Sequence, residues 1–337
     1  MVDMSAVTNG LDDAFGAVVI GRNEGRRLKS CLKSAADATV IVYVDSNSTD
    51  DSVSLAQECG ADVVQLDMSL PFTAARARNA GFARLMELTE RIPYVQFVDG
   101  DAELVRGWTN AAMQFLKEHL DVAVVCGQRI ELHANASIFN KMCANEWNTP
   151  VGEAKSCGGE SLVRVATFQE SGGFRDEQIA HEEPELCSRI RAMGYKIWRI
   201  DQRMSLHDAA IIRVSQFYAR GRRAGFGISQ YLAHSQRNDP GTGREIIVRA
   251  FFWTFLPPLT TIIGLYHFGP SAVLALLIYP IQIARYAFRL SSTDYTPAEA
   301  VKVSLFSMLS KLAEAHGALE FFVRRTLKRK VKPILYR

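Results

Sequence analysis

Short apolar runs alternate with polar, helix-compatible stretches along the first third of the chain. Residues 15–20 (Phe-Gly-Ala-Val-Val-Ile), 40–44, 61–66 and 94–98 are rich in β-branched and aromatic side chains, and they read as buried strands. Between them the pattern predicts helices over 26–36, over 52–59 with Asp50 or Ser52 as its cap, and over 74–89. Strand and helix alternating at this spacing predict an α/β fold with a doubly wound, largely parallel sheet. Ligands of such sheets bind beyond the carboxyl ends of the strands. There this chain places Asn23 and Glu24, then Asp45, then Asp99 and Asp101, on three loops that one nucleotide could bridge. A further strand is predicted over 196–200, after a helix that starts at Glu182 and Glu183.

The last third follows a different pattern. Residues 250–268 and 271–284 carry no Asp, Glu, Lys or Arg, and the first stretch as a helix would span about 28 Å, close to the hydrocarbon core of a bilayer. Pro257 and Pro258 should kink it, and residues 267–270 leave room only for a tight turn. Arg244, Arg249, Arg285 and Arg289 flank the pair while its tip has no Lys or Arg, so the positive-inside rule puts both ends in the cytoplasm. The competing expectation is a buried helical hairpin of a soluble protein. Residues 298–323, interrupted by Lys302, Lys311, Glu314 and Glu320, suit an interfacial amphipathic helix. Six basic residues within 324–332 suit anionic membrane lipids. The expected organisation is a tail over 1–15, a catalytic domain over 16–240, a transmembrane helical hairpin over 241–290, and an amphipathic helix with a basic tail over 291–337.

Composition narrows the chemistry. A net charge of +3 over 337 residues is too slight to imply nucleic acid. The six cysteines form no C-x-x-C pair and read as reduced thiols of a cytosolic domain. Residues 1–15, with Asp3, Asp12 and Asp13, lack the apolar centre of a secretory signal. Neither G-x-G-x-x-G after the first strand nor G-x-x-x-x-G-K-[ST] is present, which argues against a dehydrogenase and a P-loop nucleotidase. Phosphate would have to be gripped through a cation. Asp99 and Asp101, with Gly100 between them, can share a hard divalent ion with a ligand's phosphates. The plainer expectation is a strand-to-helix turn in which an aspartate caps the following helix.

Residues 20–24 (Ile-Gly-Arg-Asn-Glu), 45–50 (Asp-Ser-Asn-Ser-Thr-Asp), 75–81 (Ala-Arg-Ala-Arg-Asn-Ala-Gly) and Asp99-Gly100-Asp101 resemble the nucleotide-binding half of family-2 glycosyltransferases of the GT-A fold. Gly158-Gly159, Gly172-Gly173-Phe174 and residues 181–189 resemble the second half, in the expected order. The fold implied is a GT-A type mixed sheet. Carried over by position, the resemblance implies that Asp45 meets the donor's base, with Asn23 and Glu24 lining that pocket and Arg78 near the phosphates or base. Asp99 would face ribose and metal, Asp101 would bind Mg²⁺ or Mn²⁺ directly, and His207 would be a further ligand suited to Mn²⁺. Where the family usually has Glu-Asp this chain has Glu182-Glu183, so Glu183 takes the general-base position. Its attack geometry gives inversion.

On the acceptor side the resemblance leaves Glu182, Trp147 as a sugar-stacking ring, and Arg220. The last lies in Gln216-Phe217-Tyr218-Ala219-Arg220, where processive relatives carry Gln-x-x-Arg-Trp. The match fails there, which favours single-sugar transfer. The whole implies a nucleotide-sugar donor, a UDP-sugar first, a lipid-linked or glycan acceptor, and surface polysaccharide or glycolipid synthesis at a bacterial inner membrane. A polyprenyl-phosphate glycosyltransferase and a catalytically silent membrane scaffold are the alternatives.

Overall fold

The computed structural model describes residues 14–89, 91–234, 243–290 and 295–327. Residues 235–242, most of the expected N-terminal tail and the basic residues from Lys328 onward lie outside these. Two compact units are present. One comprises the chain through His133 together with Cys143–Ala209, and the other comprises Ala134–Met142 with Ala210 onward.

In the first unit β1 (Phe15–Gly21), α1 (Arg26–Ser34), β2 (Val40–Asp45), α2 (Ser52–Glu58), β3 (Asp62–Gln65), α3 (Ala74–Leu88) and β4 (Tyr94–Asp99) follow the predicted alternation. Then come β5 (Ala102–Leu104), α4 (Trp108–Glu118), β6 (Val122–Glu131), α5 (Ile138–Trp147), which ends in this unit, β7 (Gly152–Ala154), β8 (Ser161–Arg164), α6 (Val165–Glu170), α7 (Glu182–Ala192) and β9 (Lys196–His207). Among the described residues these strands form one mixed sheet in the order β3-β2-β1-β4-β8-β6-β9-β5, with β7 also on β9. Leu28, Cys31 and Leu32 of α1 and Leu85 of α3 are fully buried beside Val18, Val42 and Val44, which is the apolar face that makes these segments helical against the sheet.

Register decides what reaches the sheet edge. β1 is parallel to β2 and β4, pairing Gly21 with Asp45 and Ile20 with Asp99, so the three polar loops leave side by side. β8 returns antiparallel to β4 with Ser161 opposite Phe97, which carries Gly159 to the level of Asp99. The far end of β9 pairs His207 with Ala102, bringing it beside Asp101.

Three local expectations are corrected. Asp99-Gly100-Asp101 runs into the strand β5, so neither aspartate caps a following helix. The N-cap of α2 is Asp51; Asp50 instead accepts from the Ser52 N–H, while the Ser52 hydroxyl accepts from the N–H groups of Glu24 and Gly25. The strand expected over 196–200 continues to His207, because exposed Asp201, Gln202 and Arg203 interrupt its apolar pattern where the β6 register shifts.

In the second unit α8 (Val214–His234) packs along α11 (Pro297–Thr326) through small residues. A Cβ on Gly225 would run into the Glu314 backbone, and one on Gly317 into the Arg222 carbonyl. Arg222 pairs with Glu320 at 2.6 Å, and a Thr296–Glu299 capping box starts α11. One face of α11 is therefore covered by a neighbouring helix, while Val301, Leu305, Leu312, Leu319 and Phe322 are exposed.

Residues Arg244–Leu290 form one helical stretch long and apolar enough to cross a membrane, and only 11% of its most apolar window is buried. It comprises α9 (Arg244–Phe268), which continues through Pro257 and Pro258, a 3₁₀ segment (Gly269–Leu277) and α10 (Ile278–Leu290). Beyond Gly269, in left-handed conformation at φ 69°, the chain lies back on α9: Ala272 meets Gly264, and the Tyr279 hydroxyl donates to the Trp253 carbonyl at 2.6 Å. The helix expected over 271–284 thus begins as 3₁₀ and becomes α-helical only at Ile278.

Candidate functional site

The first two loops are stitched together before any ligand arrives. Asn23 sits in the left-handed region at φ 57°, where its Oδ1 accepts from the Thr49 N–H at 2.7 Å and its own N–H donates to the Ser48 hydroxyl at 2.9 Å. Glu24 pairs with Arg27 at 2.8 Å. Asp45 is buried; one oxygen accepts from the Tyr43 hydroxyl at 3.1 Å and the other from the Ser48 N–H at 3.0 Å. Burial raises the Tyr43 pKa, so that phenol stays protonated and able to donate. These bonds tie the two loops together and fix the direction of the Asp45 carboxylate.

The aspartates near 100 and the acidic start of α7 meet through one guanidinium. Arg78, 2% exposed on α3, donates from Nη2 to Asp99 Oδ1 and from Nη1 to Glu182 Oε1, both at 2.7 Å. Burial alone would push the Asp99 carboxyl up, but the Arg78 and Arg129 charges outweigh it and hold Asp99 below the usual carboxylate range. The other Asp99 oxygen faces the chain at Gly159, where a Cβ would stand 2.8 Å away.

Asp99, Glu160 and His207 each offer one ligand atom, all within 4.8 Å of one another. Asp101 Oδ1 lies 3.4 Å from His207 Nε2. Glu160 is fully buried: its Oε2 accepts from Arg129 Nε at 2.9 Å and from the Ser205 hydroxyl at 2.6 Å, whereas its Oε1 and the Nδ1 of His207 are buried without a hydrogen-bond partner. Burial lowers the His207 pKa, which keeps the imidazole neutral and its lone pair available. Two carboxylates and a neutral imidazole gathered within this distance, with Asp101 beside them, are a donor set that fits a divalent cation such as Mg²⁺ or Mn²⁺.

Glu183 stands one residue further along α7. Its Oε1 accepts from the Gly158 N–H at 2.8 Å, and Gly158 turns the strap at φ +89°, a conformation that glycine adopts without strain. Burial first, and then the neighbouring Glu182 charge, push the Glu183 carboxyl up to about 8. A carboxyl so poised can exchange a proton near neutral pH. Glu185 has a structural role instead, paired with Arg189 at 2.7 Å and Arg175 at 3.2 Å. Trp147, half-buried at the end of α5, packs edge-on to His207 with ring centroids 4.8 Å apart, and the Arg129 guanidinium lies 5.1 Å from its ring centre. Arg220 lies on α8, in the second unit.

Sequence reasoning missed Glu160, Arg129 and Ser205. Glu160 had a signal, since it directly follows Gly158-Gly159. Arg129 and Ser205 had none: they come together only because β6 and β9 pair them in register.

Residues 17–156 match the model of glycosyl transferase family 2. Among solved structures, the mannosyltransferase PcManGT from Pyrobaculum calidifontis, determined with GDP-Man and Mn²⁺, superposes at a TM-score of 0.57, with 15% identity over 91% of this chain and 86% of that one. S. aureus TarS 1–349 aligns at 0.48, with 15% identity over 95% and 93% of the two chains. The Mycobacterium tuberculosis glucosyl-3-phosphoglycerate synthase, in complex with Mn²⁺, UDP and glucosyl-3-phosphoglycerate, aligns at 0.48, with 15% identity over 65% and 79%. The likeness to the mannosyltransferase is one of fold, the mixed α/β sheet of the GT-A type.

Proposed function

We propose that this chain, whose residues 17–156 match the family-2 glycosyltransferase model, moves a single sugar from a nucleotide-sugar donor to an acceptor hydroxyl with inversion. The observation that carries this reading is the buried Glu183 carboxyl, held by the Gly158 strap on the helix whose first residue, Glu182, shares Arg78 with Asp99. This continuity supports a reading in which Glu183 would serve as the base of the same site that binds the donor's phosphates. Asp45, with Asn23 and Glu24 framing its pocket, would take the donor's base, a UDP-sugar being the first candidate. Asp99, Asp101 and His207 would hold Mg²⁺ or Mn²⁺, which when bound would offset the charge of the departing diphosphate. Arg78 would orient the diphosphate through Asp99.

Glu183 would take the proton from the acceptor hydroxyl as that oxygen attacks the anomeric carbon from the side opposite the leaving group. Trp147 would offer an aromatic edge to the sugar, with Glu182 on the acceptor side. The apolar stretch Arg244–Leu290 supports a membrane anchor and hence a lipid-linked or membrane-proximal acceptor. Anionic lipids, a bacterial inner membrane with the catalytic domain in the cytoplasm, and surface polysaccharide or glycolipid synthesis complete the proposal.

The test is Glu183→Gln assayed for transfer and for donor binding. Loss of turnover by 10²-fold or more with donor affinity kept supports a hydroxyl acceptor. Retained turnover would point to an acceptor phosphate, which needs no base. If no nucleotide sugar is turned over in a metal-dependent way that Asp101→Ala abolishes, the chain is a scaffold on this fold.

A further inference from the structure

We infer that Glu160 is itself a ligand of the divalent cation, held in place by Arg129 and Ser205, so that the protein binds the ion before the nucleotide arrives. The inference rests on the metal-dependent reading above and adds to it a residue and an order of binding.

Glu160 is 0% exposed, and a carboxylate taken wholly out of water must be compensated. Both observed compensations fall on one oxygen, Oε2, which receives Arg129 Nε at 2.9 Å and the Ser205 hydroxyl at 2.6 Å. The other oxygen, Oε1, has no partner, and neither has Nδ1 of His207. A side chain anchored by one oxygen with the other left bare is the arrangement expected when the bare atom serves an ion, because outer contacts orient metal ligands. The ligand atoms of Glu160, Asp99 and His207 already lie within 4.8 Å of one another.

Charge points the same way. Asp99, Glu160 and Glu182 pair with or adjoin the guanidinium groups of Arg78 and Arg129, and Asp101 adds a further carboxylate beside His207, an acidic excess that a divalent cation would offset. Three protein ligands from separate strand ends, one of them locked from behind, form a site that needs no phosphate to assemble. The Asp99-Gly100-Asp101 motif alone would supply two carboxylates from one turn and depend on the nucleotide for the remainder.

The experiment is a titration of the nucleotide-free, detergent-solubilised full chain with Mn²⁺, followed by the loss of the free-ion electron paramagnetic resonance signal. Wild type should bind one Mn²⁺. Glu160→Gln, which keeps the shape of the side chain, should weaken that binding tenfold or more, at least the loss that follows when an outer contact of a metal site is removed. Ser205→Ala, which loosens the anchor and leaves the carboxylate, should weaken it several-fold, and both variants should keep the wild-type far-ultraviolet circular dichroism. Wild-type affinity in folded Glu160→Gln overturns the inference; if Asp101→Ala still abolishes binding there, the metal reading stands without Glu160. No binding by nucleotide-free wild type, with binding restored by UDP, also overturns it and leaves the glycosyltransferase reading untouched.

Discussion

Glu183 is the residue whose surroundings make the sharpest demands. Its proton is favoured by the fold, because burial and Glu182 raise the carboxyl to about 8, while the same group in an unfolded chain titrates near 4.5. The stability carried by this protonated form is fully present below about pH 4.5 and is lost as pH rises through about 8. Glu183→Gln, neutral at every pH, should therefore melt a few degrees above wild type at pH 9 and close to it at pH 5, measured by calorimetry. Catalysis runs the other way. A base works only without its proton, so kcat/KM should rise with pH through about 8 and then level, checked by a pH–rate profile at saturating Mn²⁺.

Arg78 tests the opposite case, a buried charge whose partners cannot do without it. Arg78→Ala would leave Asp99 and Glu182 unpaired, and about 3–5 kcal/mol of stability should disappear in urea unfolding. The roles of Asp99 and Arg78 could be assigned to one neighbourhood from sequence motifs. That one guanidinium would span from β4 to α7 could not, since 104 residues separate Arg78 from Glu182 and no local pattern links them.

At the scale of elements, the parallel half of the sheet was legible because each strand is a short apolar run bounded by turn residues. Residues 94–98 were read as a strand and the structure adds only Asp99. The second half was harder, and β9 shows why. Its middle, Asp201-Gln202-Arg203, is exposed and polar, and pairing across a register shift extends the strand to His207 where hydrophobicity gives no hint. His207 could be named from its place in the sequence, but its position beside Asp101 follows from the antiparallel pairing with β5. Helix packing in the second unit was likewise invisible, because glycines read as breakers until a partner helix is known. Gly225→Ala would push a methyl group into the Glu314 backbone, and overpacking of this kind costs about 1–3 kcal/mol. Thermal unfolding of the variant should show a lowered transition, with Mn²⁺ affinity unchanged because the proposed ligands Asp99, Asp101, Glu160 and His207 belong to the other unit.

For the molecule as a whole, two architectures are joined in one chain. A GT-A sheet carries the site, and helices with a large exposed apolar surface follow it, from Phe252, Leu259 and Ile263 on α9 to Leu274 and Ile281 beyond the turn. On the proposed anchoring, the full chain should be found in the membrane fraction and need detergent, and deletion of residues 244–290 should move it to the soluble one, read by fractionation and blotting. The measurement that bears most directly on the central claim is thermal unfolding of the solubilised chain with a panel of nucleotide sugars, with and without Mn²⁺. One of them should raise the melting temperature by several degrees only when Mn²⁺ is present, and Asp99→Asn should remove the rise. If no nucleotide sugar stabilises the protein in either condition, the grouping of Asp45, Asp99, Asp101 and Glu183 into one donor-binding site is wrong.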